Sequence, residues 1–211
     1  MTMPDILINT ENIFLNRGIC ELLSEIAKEE HIREPYSVVD CSTDILDPID
    51  MLFTEMVAGE HYLCHPFFKK LPPHTSIFIF VATDSALQVE QLPLCLRDAT
   101  FISMNSDLRR VKNQIAKRLT ESTTSSCGGL EKDSRRCVKC PRLTLTKSQL
   151  YIINAIRTGM NNQQIAQKLG ISHKTIFSHK INIMKKFQIA TKQELTRFSS
   201  VALALSAGRI G

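Results

Sequence analysis

The chain has no tryptophan, three tyrosines, eight glycines and eight prolines in 211 residues. So sparse a glycine supply leaves no Gly-rich loop whose backbone amides would cradle a nucleotide phosphate, and no internal repeat is visible. No apolar run approaches the roughly 18 residues that a membrane-spanning helix needs, and the first residues lack a basic stretch followed by an apolar one. Neither a membrane span nor a signal peptide is expected, and the chain reads as cytoplasmic. The seven cysteines (20, 41, 64, 95, 127, 137 and 140) are odd in number and scattered, which argues for reduced thiols over a disulfide framework. His31, His61, His65 and His74 have no mutual spacing suited to a metal, and no Ser/His/Asp order stands out. Nothing marks an enzyme: no catalytic residue, metal ligand or cofactor is assigned.

Acid is scarce where base is plentiful. From Pro141 onward there are eleven Lys or Arg against one acid, Glu194, a balance of +10. Residues 1–140 hold fifteen against twenty, a balance of −5. Any single lysine can be an ordinary solvated side chain. The regional imbalance is not explained that way; it points to nucleic acid at one end and regulation at the other.

The most informative stretch, residues 161–187, reads NNQQIAQKLGISHKTIFSHKINIMKKF. Ile165, Ala166 and Leu169 are spaced for a short helix over 163–169, and Gly170 can take the left-handed backbone that ends one. Ser172 is a good N-cap for a second helix, on which Ile176, Ile183 and Phe187 recur on one face. Two helices joined by a tight turn containing Gly make a helix-turn-helix. The second helix carries His173, Lys174, Lys180, Lys185 and Lys186 and no acid, the electrostatics wanted beside phosphates. Upstream, LTLTKSQLYIINAIRTG opens with a capping-box spacing at Thr146 and Gln149 and continues through Leu150, Ile153 and Ile156 to Gly159. Downstream, Thr191 and Glu194 repeat the box, and Leu195, Phe198, Ala202 and Leu205 form one apolar stripe. Four such helices in roughly 65 residues are about the smallest unit that folds alone.

In these residues the chain resembles the LuxR-type (FixJ/NarL-type) DNA-binding domain, over about residues 143–204 and in register without a gap. Gln149 and Gln164 depart from it, standing where the family usually has an acid, and both changes raise the positive charge. The resemblance implies an all-α, four-helix helix-turn-helix domain over 143–205 whose recognition helix enters the major groove of double-stranded DNA. Lys174, Thr175, Lys180, Lys185 and the amides near Ser172 and His173 would hold phosphates. Phe177, Ser178 and Ile181 would face bases, and His179 would pack or donate to phosphate. A homodimer through the last helix, 191–205, is implied likewise. Phe177, Ile181 and Met184 form a second apolar stripe beside the core stripe. Such side chains can read thymine methyls or meet a protein partner.

Residues 1–120 alternate strand-like runs (5–8, 36–41, 61–64, 76–82 and 101–104) with helix-like ones (13–28, 49–57 and 108–119). The alternation predicts an α/β domain, a parallel sheet with helices on both faces. This order and the phrase ILINTENIFLNRGICELL resemble a response-regulator receiver domain. The receiver's chemistry is missing. Where that family pairs acids after the first strand, this chain has Asn9-Thr10-Glu11. Leu63-Cys64-His65-Pro66, read as following the third strand, offers no phosphoryl-accepting Asp, and Ser103-Met104-Asn105 replaces the Lys after the fifth. The reading is a degenerate receiver-like regulatory domain without aspartyl phosphorylation.

Residues 121–142 read as a linker: polar, Gly-containing, then charged and closed by a Pro. Cys127, Cys137 and Cys140 lie in it. Zn²⁺ wants four ligands, and His65 or a second subunit would have to supply the fourth. Free thiols in a tether are the simpler reading, with a redox pair lowered in pKa by Arg135, Arg136 and Lys139 as the other.

The expected function is sequence-specific double-stranded DNA binding by a dimeric bacterial transcription regulator. Regulators with this layout often act on surface structures such as fimbriae or capsule, as the resemblance implies. The alternative is an interaction protein that heterodimerises with a related regulator and has little DNA affinity of its own. A third reading is a thiol- or zinc-dependent sensor.

Overall fold

A computed structural model describes residues 5–29, 37–39, 49–82, 87–124 and 140–207. These residues form two compact units. The amino-terminal unit holds Met1–Glu55, Phe67–Asp84 and Asp98–Arg136. The carboxy-terminal unit holds Cys137–Gly211 together with two earlier segments, Met56–Pro66 and Ser85–Arg97.

The amino-terminal unit is built on strands β1 (Asp5–Asn9), β2 (Ser37–Val39), β3 (Met51–Met56), β4 (Ser76–Val81) and β5 (Thr100–Ser103), in sheet order β2-β1-β3-β4-β5. β1 runs parallel to both β2 and β3, and β4 runs parallel to β5. Successive strand side chains point to opposite faces. Ile6, Ile8, Met51, Phe53, Phe78, Phe80 and Ile102 thus share one face, where they pack with helices α1 (Ile13–Glu29) and α3 (Leu108–Thr124). The rings of Phe53 and Phe78 stack at 4.9 Å. The intervening Leu7, Leu52, Ile77 and Ile79 are buried on the other face. A sheet buried on both faces is the environment that parallel strands require.

Two expected elements need correction. Residues 49–57 are not a helix: Met51–Met56 is a central strand, registered on β1 through Ile6↔Met51 and Ile8↔Phe53. Its run of apolar residues is buried on both sides, so no two-residue alternation shows, and pairing overrides local propensity. Residues 61–64 are not a strand either. The chain leaves β3, takes a left-handed backbone at Gly59 (φ 84°) and makes a 3₁₀ turn over Glu60–Tyr62 before the short helix α2 (Pro66–Lys70). Glu60 holds this turn, accepting from the Val57 amide at 2.9 Å and meeting the His65 ring at 2.8 Å. The third strand therefore ends at Met56, so the residues that follow it begin at Val57 and not at Leu63-Cys64-His65-Pro66; neither place holds an Asp.

The carboxy-terminal unit has helices α4 (Lys147–Arg157), α5 (Asn162–Leu169), α6 (His173–Lys186) and α7 (Lys192–Ala207). Its core is Ile152, Ile153, Ile165, Ile176, Ile183, Phe187, Leu195, Phe198 and Ala202, all buried. Gly59 sits against the end of α6. A Cβ there would lie 2.9 Å from the Phe187 carbonyl oxygen and 3.0 Å from its Cβ. Left-handed backbone and backbone crowding both oppose a side chain at this point. Gly59→Ala is expected to lower stability by about 2 kcal/mol, the left-handed penalty plus a shift of the chain, measurable as a drop in urea midpoint.

Candidate nucleic-acid interface

Each helix of the carboxy-terminal unit is started by a side chain from the residue before it. Thr146 and Gln149 form a reciprocal capping box on α4. Asn161 and Gln164 form another on α5, which sequence reading missed although N-x-x-Q fits the pattern. Thr191 and Glu194 close a third on α7. Gly170 ends α5 at φ 64°, and Ser172 begins α6 by accepting from the Thr175 amide at 3.1 Å. The turn between α5 and α6 is thus set by local chemistry at both ends.

Helix α6 has two opposed faces. Ile176, Ile183 and Phe187 are fully buried. At 100° per residue, Lys174, Ser178, Ile181 and Lys185 fall within about 60° of one another, on the side facing away from that stripe. Lys174, Ser178 and Lys185 are exposed and Ile181 is half-buried; Phe177 flanks them with 53% of its surface exposed. Ser172, His173 and Thr175 are exposed at the helix start, where free amides and the helix dipole favour an anion. His179 is half-buried. The Ser178 hydroxyl donates to the Lys174 carbonyl at 3.1 Å, and Ser172 and Thr175 share a hydroxyl contact of 2.8 Å.

Lys180 is placed differently from the other lysines. It lies on the buried side of α6, where its ammonium donates to Asn162 of α5. Burial lowers its pKa, and Lys192 adds to the depression. Its charge is engaged in holding α5 against α6. Lys186 likewise donates to the Thr144 carbonyl at 2.7 Å and lies over the Phe187 ring. Asn162 was not singled out beforehand; its side-chain role shows only once the two helices are packed.

The earlier segments belong to this unit by specific bonds. Tyr62 is fully buried; its hydroxyl donates to Gln188 at 2.5 Å and accepts from the Gln88 amide at 3.1 Å. Its carbonyl accepts from Leu143 at 3.0 Å. Gln188 stands at φ 55° between α6 and α7. Cys140 accepts the Leu94 amide on its sulfur at 3.4 Å, whereas Cys127 and Cys137 lie outside the described residues. No pattern in sequence links residue 62 to residue 188.

At the carboxyl ends of β1 and β3, the Thr10 hydroxyl donates to Glu55 at 2.8 Å. Glu11 is exposed. Among the described residues no three His, Cys, Asp or Glu side chains cluster as a metal site would require. No described helix is long and apolar enough to cross a membrane.

Burial pushes the His61 imidazole down to about 4 from an ordinary 6.5, and both ring nitrogens are closed to solvent. The fold favours neutral His61, so its contribution is complete above pH 6.5 and is lost as pH falls toward 4, while the unfolded chain takes up the proton first. The expected loss is about 3 kcal/mol across that window. Urea midpoints at several pH values should show it, and His61→Phe should flatten the slope.

Residues 143–199 match the family of bacterial regulatory proteins, luxR family. The oxygen regulatory protein NreC of Staphylococcus epidermidis is 30% identical over 114 residues, covering 52% of this chain and 47% of that protein. NreC of Staphylococcus carnosus is 29% identical over 102 residues, covering 48% and 47%. The chain thus spans about half the length of the curated relatives it matches. The response regulator RcsB in complex with DNA shares the fold across 95% of this chain and 99% of its own, at TM-score 0.50 and 19% identity. RcsB from Salmonella enterica serovar Typhimurium bound to promoter P1flhDC does so over the same shares, at TM-score 0.55 and 17% identity. The four helices that follow residue 142 are therefore a DNA-binding helix-turn-helix domain of the LuxR family, carried by a chain with the fold of response regulators.

Proposed function

We propose that this protein is a dimeric transcription regulator that binds duplex DNA sequence-specifically through α6, inside the cell where that DNA is. The observation that carries this reading is the outer face of α6. An acid-free helix is capped at Ser172 and anchored by Ile176, Ile183 and Phe187, and it presents Lys174, Ser178, Ile181 and Lys185 outward. Lys174, Lys185, Thr175 and the amides near Ser172 and His173 supply phosphate contacts, while Phe177, Ser178 and Ile181 read base edges. Lys180 contributes by positioning α6, and His179 by packing. Pairing through α7 gives the two-fold symmetry that two half-sites need. Regulation works without an aspartyl phosphate: the third strand closes on Glu55 and Met56 with no Asp, and Glu55 is hydrogen-bonded to Thr10.

The exposure of Phe177, with Ile171 also exposed, favours one second reading: an apolar contact for a related regulator in place of bases.

Once an operator is selected from genomic fragments, fluorescence anisotropy tests the assignments. Phe177→Ala is expected to weaken operator binding by about 1–3 kcal/mol and leave non-specific binding unchanged. Lys174→Ala and Lys185→Ala should weaken both and each reduce the salt slope by about one. Full operator affinity in Phe177→Ala, with loss of a co-purifying regulator, would establish the heterodimer reading instead.

A further inference from the structure

Between α1 and the start of α3, the amino-terminal unit opens a groove of about 370 Å³. Small-molecule sites run from about 300 to 1,000 Å³ and are mainly apolar with a few placed polar groups. The floor of this groove lies deeper than the helix surfaces. Phe80 of β4 and Ile102 of β5 line it together with Ile19 and Val111, so it reaches the sheet. Phe14 and Leu108 also line it and are 90% and 66% exposed, which puts them at its mouth.

Gly18 keeps the groove open. It lies inside α1 without positive φ, where glycine weakens a helix relative to alanine. A Cβ added there meets nothing within 4 Å. No described neighbour requires glycine at this point, and the effect of the missing side chain is room in the groove.

Polar groups enter the lining only from the segments that follow β1 and β5. Ser103 is buried, and its oxygen accepts from the Asn105 amide at 3.2 Å, which leaves the O–H to donate. Asn12 accepts from the Phe14 and Leu15 amides on its side-chain oxygen, which leaves its NH₂ group to donate. Ser106 adds a third hydroxyl. Among the described residues that line the groove, none is charged. The adjoining groove along α1 carries Glu21 and Glu25 against Lys28. A carboxylate entering here would lose its water without gaining a counter-charge.

We propose that this groove is a binding site for an uncharged, mainly hydrocarbon small molecule that presents a carbonyl oxygen to Ser103 and Asn12. The apolar body lies on Ile19, Phe80 and Ile102, and the hydroxyl and amide donors fix its polar end. A protein face would have to send one side chain down to the sheet, whereas a small molecule fills the depth as a whole. The site lies in the amino-terminal unit, and its test needs neither an operator nor DNA binding.

The test uses the full-length protein and benzophenone, an uncharged diaryl ketone that bonds to nearby C–H groups on irradiation. Labelling should saturate and map to residues 12–22 or 102–111. Benzophenone para-carboxylate should label about tenfold less, or worse. Gly18→Leu, which fills the groove, should cut benzophenone labelling by about tenfold or more while Met104, a reactive target, stays in place. Gly18→Ala should keep the parent's melting temperature or raise it. Ser103→Ala should raise the half-saturating concentration about fivefold, through loss of one hydrogen bond. Competition by diphenylmethane, which has the same rings and no carbonyl, should be unchanged in Ser103→Ala, and this split decides the matter even if Gly18→Leu lowers the melting temperature. Labelling that fails to saturate, falls outside these segments, ignores Gly18→Leu in a folded protein, or is as strong with the carboxylate would overturn the proposal. So would equal effects of Ser103→Ala on both compounds. Labelling that falls as protein concentration rises at constant free probe would also overturn it, by assigning the groove to another copy of the chain.

Discussion

The carboxy-terminal unit depends on the seat of Phe187. Its ring is fully buried and lies 4.7 Å from that of Phe198, tying the end of α6 to the middle of α7. Removing a buried phenylalanine of this kind costs about 3–5 kcal/mol, a large share of a small domain's stability. The surroundings are fitted to it. Gly59 leaves room for its backbone, Gln188 turns the chain at positive φ just after it, and the Ile189 amide returns to Met184 at 2.8 Å. The outward face of α6 is defined relative to this anchor. A rotation of α6 that freed Phe187 would also turn Lys174, Ser178 and Lys185 away from their common side.

Charge is handled with equal economy. A capping box accepts Glu or Gln at its third position. Here α4 and α5 both use Gln, and only α7 uses an acid. A carboxylate in a helix's first turn would add about 0.3–1 kcal/mol through the dipole. Forgoing it twice keeps negative charge off the first turns of α4 and α5, while the caps retain their hydrogen bonds. Lys180 and Lys186 show the complementary device: cations that hold the domain together at Asn162 and Thr144 and leave Lys174 and Lys185 to face outward.

The helix-turn-helix was legible because its determinants are local. Caps, the left-handed Gly170 and apolar residues seven and eleven apart act within about three turns; the structure shows the caps at Thr146, Ser172 and Thr191 and the buried stripe of Ile176, Ile183 and Phe187 where they are expected, and adds the box at Asn161 and Gln164. The amino-terminal unit was legible in class but not in detail. Met51–Met56 was mistaken for a helix because a strand buried on both faces has no alternation, and whether MLFTEM pairs with DILIN depends on residues 45 positions away. The same limit applied to the site. Ser172, Lys174, Phe177 and Lys185 could be placed from the helix's own period. That Lys180 is held by Asn162, or Gln188 by Tyr62, depends on packing between elements and leaves no mark in spacing.

The carboxyl ends of β1 and β3 pose the question of what such a sheet does without its usual chemistry. In the sheet order seen here, ligands bind where strand direction from the first strand diverges, between β1 and β3. Two carboxylates facing each other there would repel and would need a cation between them. Thr10 removes one carboxylate, and Glu55, one methylene longer than aspartate, reaches the hydroxyl at 2.8 Å. The hydroxyl meets one carboxylate oxygen by a hydrogen bond, and Thr10 leaves the crevice one acid fewer for a cation to bridge. Among the described residues, Ile13 and Phe14 of α1, Leu108 of α3 and Phe177 of α6 leave more than half of their surface exposed, and a partner that covers one of them in one state and not in another shifts the balance between those states by the difference in its affinity.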